Sequence, residues 1–114
     1  MKKRYTVRHT DEVAPVACPC GASQRILTAS DSAAASVHVV TIKADSQVHY
    51  HKKTSEYYFV MSGEGEIHLD GDVIPVRAGH AISIPPGVKH CARGDLKIVN
   101  VVVPAFDPSD EFLA

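Results

Sequence analysis

The sequence predicts an all-β fold, and three observations predict it. No stretch of helical length keeps apolar residues at a period of 3.6. Proline and glycine punctuate almost every short apolar run. The runs themselves are rich in Val, Ile, Thr and Tyr, side chains that suit a pleated, half-buried surface. With 114 residues, of which 45% are apolar, the chain has material for one modest core and reads as a single domain.

Along the chain, residues 1–24 read as an irregular lead-in, with Pro15 and Pro19 inside it. The barrel is expected over residues 25–103, with strands at 25–29, 36–43, 47–51, 56–62, 65–69, 73–76, 80–84 and 96–103. Asp70-Gly71 joins two of these runs. A two-residue hairpin turn needs positive φ, which Gly and Asp tolerate, so residues 65–76 read as a hairpin. Strands of this number and spacing suggest a sandwich or barrel. Residues 104–114, with Pro108 and several acidic residues, read as a surface excursion or short helix.

The net charge of -1, from 12 basic and 13 acidic residues, gives no general drive toward nucleic acid or an anionic membrane. The basic cluster of Lys2, Lys3 and Arg4 reads as a solvated terminus. No apolar segment is long enough to span a bilayer, and three cysteines, an odd number, point to a reduced, cytoplasmic protein. Seven histidines are many for this length, and most lie between His49 and His90.

In a strand, residues i and i+2 share a face, so His49 and His51 aim two imidazoles at one point while Tyr50 looks away. After a polar turn, Glu56 opens the next strand, where a hairpin-like return brings its carboxylate beside them. Pro85, Pro86 and Gly87 form a rigid turn that fixes how His90 re-enters the barrel. Three imidazoles and a carboxylate suit one divalent transition metal among Mn, Fe, Co, Ni, Cu and Zn. No thiolate is needed, which excludes zinc fingers and iron–sulfur clusters.

This pattern resembles the cupin superfamily. Its first motif, G-x5-H-x-H-x3,4-E-x6-G, is matched by His49, His51, Glu56 and Gly63; its second, G-x5-P-x-G-x2-H-x3-N, by Gly79, Pro85, Gly87 and His90. Lys43 stands where the first glycine is expected and Gly94 where the final asparagine is. The resemblance implies a double-stranded β-helix, or jelly-roll barrel, with the metal near one mouth, and a homodimer formed through outer strands. It implies no single activity. Similar small barrels include oxygenases, isomerases, lyases and non-catalytic small-molecule sensors. The expected function is therefore a metal-dependent enzyme on a small polar organic molecule, the alternative a binding or sensing module.

Tyr58 shares the inner face of its strand with Glu56 and Val60, and is the candidate proton donor or a core tyrosine reaching the barrel mouth. Arg25 and His38 could orient a carboxylate or phosphate, although an outward, solvated Arg25 is the expectation. Cys18 and Cys20 form a C-x-C, without the spacing of redox pairs or zinc ribbons, and are not expected to close on each other or to reach the metal. Cys91 is expected to be buried and inert, and His68 and His80 to lie on the surface.

Overall fold

The computed structural model describes residues 4–43 and 46–114; Lys2 and Lys3 of the basic cluster lie outside them. Among the described residues nine strands form one antiparallel sheet: β1 (Val16–Cys18), β2 (Gly21–Leu27), β3 (Ser36–Ile42), β4 (His49–Tyr50), β5 (Ser55–Leu69), β6 (Asp72–Arg77), β7 (Ala81–Ile84), β8 (His90–Val103) and β9 (Phe112–Leu113). The order β1-β2-β3-β8-β4-β9, with β5 lying against β6, β7 and β8, curls the sheet into the jelly-roll expected. Among the described residues no helix is long and apolar enough to cross a membrane.

β5 and β8 carry the architecture, paired from Ser55↔Val103 to Leu69↔His90. The sequence suggests two strands, 56–62 and 65–69, because Gly63 interrupts the pattern, yet β5 is continuous. Its register shifts between Val60 and Ser62, and Gly63 follows at φ +87°. A Cβ on Gly63 would stand 1.7 Å from the Asp95 carbonyl oxygen, so the glycine lets the strand bend where a side chain would break the pairing. β8 likewise begins at His90 rather than at 96. Gly94, at φ +108°, passes so close to Gly65 that a Cβ would lie 2.8 Å from the Gly65 Cα. That close approach accounts for a glycine where the family motif has asparagine.

Inward positions alternate as a half-buried strand requires. Val60, Ile67, Ile84, Leu96 and Ile98 are almost wholly buried and fill one end of the barrel. Each such side chain contributes about 1.5–3 kcal/mol. At the other end the inward row is polar. Arg25 on β2 pairs with His38 on β3, His38 with Asn100 on β8, and Asn100 with Tyr58 on β5.

Both ends of the chain depart from expectation. The lead-in holds a short 3-10 turn (Thr10–Glu12) and a β1–β2 hairpin, in which Cys18 and Cys20 are joined by a disulfide. Proline between two cysteines does not keep them apart here, because the tight turn into Gly21, at φ +140°, brings their side chains together. Reduced thiols throughout were expected; the free cysteine is the buried Cys91. The tail holds the short helix expected, as a 3-10 turn, but then turns inward at Asp110. A 3-10 turn (Pro108–Asp110), capped by Asp107, leads into β9, which pairs with β4 beside the histidine pair.

Candidate metal centre

β4 places His49 directly opposite His90 on β8, their ring centroids 4.3 Å apart. His51 follows on the same face, and Glu56 opens β5 with its side chain inward. All four residues are buried, and one donor atom from each lies within 4.8 Å of the others. The Glu56 Oε1 atom stands 2.7 Å from His51 Nε2 and 3.0 Å from His90 Nε2.

Each imidazole is oriented by its other nitrogen. Nδ1 of His49 lies 3.1 Å from the Gln47 carbonyl, Nδ1 of His51 2.7 Å from that of Asp110, and Nδ1 of His90 2.8 Å from that of Val88. A carbonyl only accepts, so in all three rings Nδ1–H donates and Nε2 presents a lone pair to the centre. Asn100 Nδ2 donates to Glu56 Oε2, which turns Oε1 inward.

Asp110, unforeseen from the sequence, locks this frame. Its buried carboxylate accepts from the backbone N–H of Lys52 at 2.9 Å, Lys53 at 3.0 Å and Thr54 at 3.2 Å, clamping the loop that joins His51 to Glu56. The turn that delivers His90 is held as well. Gly87 N–H donates to the His51 carbonyl at 2.7 Å, and Lys89 N–H donates to the Asp70 side chain at 2.8 Å.

The donor set fits a cation. His51 Nε2, His90 Nε2 and Glu56 Oε1 are buried and lack any hydrogen-bond partner. Two lone pairs facing a carboxylate oxygen repel unless a positive charge lies between them. Ligand atoms bonded at about 2.1 Å to one ion at right angles stand about 3 Å apart, close to the 2.7 and 3.0 Å that separate Glu56 Oε1 from the two imidazole nitrogens. The four residues could therefore hold a metal.

Electrostatics agree. Burial, then the neighbouring His90, lowers the His49 pKa to about 4, leaving its ring neutral and ready to ligate. Burial opposes charge on His51 too, but the Glu56 carboxylate outweighs it and raises that pKa. Burial likewise opposes the Glu56 carboxylate, yet the adjoining His51 and His90 rings outweigh it and hold its pKa well below the usual carboxylate range.

A cleft of about 390 Å³, including its open mouth, lies over the centre. Tyr58, Asn100 and His38 line it, and so do Arg25, Glu111, Phe106, Cys18 and Cys20. Arg25 therefore points inward, against expectation, its guanidinium 4.9 Å from the Phe106 ring centroid, a cation–π contact that replaces solvation. The Cys18–Cys20 pair also reaches the cleft, because the β1–β2 hairpin folds over its mouth. Burial holds the Tyr58 hydroxyl protonated by raising its pKa well above the usual value. Burial, then Arg25, lowers the His38 pKa to about 4, so that ring is neutral. His80 is exposed, and His68 lies beside Glu66 away from the centre.

Asn100 could have been found in the sequence as a polar residue at an inward position between Ile98 and Val102. Asp110 and Glu111 could not, since nothing in the tail marks which carboxylate turns inward.

A small jelly-roll barrel with three histidines and one glutamate converging beneath an open mouth defines a class of protein, and comparison with known proteins agrees. A cupin-domain family profile matches residues 36–102, and the chain belongs to that family. It is similar to L-ectoine synthase of Aliivibrio fischeri (strain MJ11), 32% identical over 88 residues that span 75% of this chain and 69% of the relative. A crystal structure of a protein from Planctomyces limnophilus is 38% identical with a TM-score of 0.87, over 94% of this chain and 95% of the other. The nucleoside dehydratase Pac13 shares the fold at 24% identity and a TM-score of 0.83, over 100% and 92% of the two chains.

Proposed function

We propose that this cupin is a metal-dependent enzyme of lyase or isomerase type, acting on a small polar organic molecule, and that elimination of water is its chemistry. The observation that supports it most is the convergence of three Nε2 atoms and one carboxylate oxygen, each fixed from behind and two of the Nε2 atoms without a partner. His49, His51, Glu56 and His90 would hold the ion. Bound there, a divalent metal supplies Lewis-acid polarisation of a substrate oxygen. Tyr58, protonated by burial, offers a proton to a leaving hydroxyl; Glu111, whose carboxyl pKa burial raises, takes one from carbon or nitrogen. The named activities of L-ectoine synthase and of a nucleoside dehydratase support an enzymatic reading.

The test is to load the purified chain in turn with Fe, Mn, Zn, Ni, Co and Cu, and to incubate it with hydroxylated acids, amino acids and nucleosides. Mass spectrometry should find a product lighter by one water, dependent on metal and lost in His51→Ala. Saturable binding without product would make it a small-molecule binding or sensing cupin instead.

The same reading includes a homodimer and a cytoplasmic location. On the outer face of β5, Tyr57, Phe59 and Met61 are 47%, 50% and 47% exposed, an apolar stripe that a second copy would cover. Light scattering at micromolar concentration should give twice the chain mass, and Phe59→Glu should give the monomer. Cell fractionation tests the location.

A further inference from the structure

Two opposite charges face the cleft without meeting. Arg25 stands in the inward cross-strand row, its guanidinium against Phe106. Its Nε atom is buried and has no hydrogen-bond partner, and no carboxylate of the described residues lies within ion-pair distance of it. Glu111 lines the same cleft from the C-terminal segment, also without an ion-pair partner among the described residues. The two groups are near enough for the Arg25 field to act on the Glu111 carboxyl, yet they are not paired. His38, between Arg25 and Asn100 in the row, is neutral and competes for neither.

Partly desolvated charges that could neutralise one another, but are held apart, cost stability unless a ligand completes them. Arg25 rests instead against the Phe106 ring. Apart from its open mouth the cleft has room for only about 30 Å³ of water-sized centres, so only a small molecule enters it.

We infer that the cleft is a receptor for a small zwitterion, its anionic group on Arg25, its cationic group on Glu111, and its middle above the four-residue centre. An amino acid or a similar dipolar metabolite is the substrate class. This rests on reading the cleft as the ligand site of the proposed enzyme and narrows its substrate. The guanidinium fork suits a carboxylate, and a substrate ammonium would favour the charged form of the Glu111 carboxyl.

The experiment uses cobalt-loaded protein, checked by metal analysis, and calorimetric titration with glycine, β-alanine, 4-aminobutanoate and 5-aminopentanoate. Each is compared with the fatty acid and the alkylamine of equal length. A charged hydrogen bond is worth about 1.5–3 kcal/mol, so one length should bind about tenfold or more tighter than both singly charged analogues. Arg25→Gln should reduce that zwitterion to the level of the amine, and Glu111→Gln to that of the acid, with metal content unchanged. Neither residue belongs to the four-residue set, so the preference should persist in the metal-free protein. Equal binding of zwitterion and singly charged analogue at every length, or no binding by any probe, would overturn the inference. Failure of the wild-type chain to take up metal would instead overturn the metal-dependent reading, and the two results are read separately.

Discussion

Replacing Asp110 by alanine should destabilise both the fold and the metal centre, although Asp110 is not itself a proposed ligand. Its carboxylate accepts three backbone N–H groups, from Lys52, Lys53 and Thr54. The Thr54 bond is buried, so its orphaned N–H costs about 2 kcal/mol; the other two, part-buried, regain water and cost about 1 kcal/mol each. The expected loss is about 4 kcal/mol for Asp110→Ala and about half that for Asp110→Asn, which keeps one acceptor oxygen. Urea unfolding of the metal-free variants measures it. Because the loop joins His51 to Glu56, metal affinity should also fall, by about 10–100-fold. A carboxylate buried but held by three donors has a lowered pKa. Its contribution is therefore present above the unfolded carboxylate pKa of about 4 and lost as pH falls through the folded value. Asp110→Ala within about 1 kcal/mol of wild type, with unchanged metal affinity, would refute the clamp.

Asn100→Ala should leave the fold largely intact and weaken metal binding about 10–100-fold, since Glu56 loses the donor that turns its inner oxygen to the centre; competition with a chelator measures this. Tyr58→Phe should keep one equivalent of metal and lower turnover about 100-fold or more if its hydroxyl donates the proton, read from kcat once a substrate is found. The metal-free protein should lose stability as pH falls from about 6.5 to about 4. His49 and His38 stay neutral when folded, with pKa about 4, while the unfolded chain takes up both protons from about 6.5 downward. His51 and Glu111 work the other way, their raised pKa values adding stability on the acid side, so two losses are set against two smaller gains. The net is on the order of a few kcal/mol, measured by urea unfolding across that window.

The strands β3, β6 and β7 and the histidine placement were legible because they rest on local rules. Alternation puts His49 and His51 on one face, Asp70-Gly71 forces a turn, and Pro85-Pro86-Gly87 directs His90. The glycines misled in a definite way. Gly63 read as a break between two strands and Gly94 lay outside the strand expected at 96–103, whereas each allows a close backbone approach within a continuous strand, a contact between segments some thirty residues apart that no local pattern encodes. The direction of Arg25 was hidden for a similar reason, since it depends on Phe106, far along the chain. Asp110 and Glu111 act on the site only because β9 folds back onto β4, and a two-residue strand leaves almost no trace in composition.

The central claim is that His49, His51, Glu56 and His90 hold one metal ion, and its most direct test is a crystal structure of metal-supplemented protein with anomalous scattering at the metal edge. A single peak is expected, bonded to Nε2 of the three histidines and to Oε1 of Glu56, and absent in His90→Ala crystals of unchanged fold. A supplemented wild-type protein with no peak at that point, or a peak bonded through Nδ1, would contradict it.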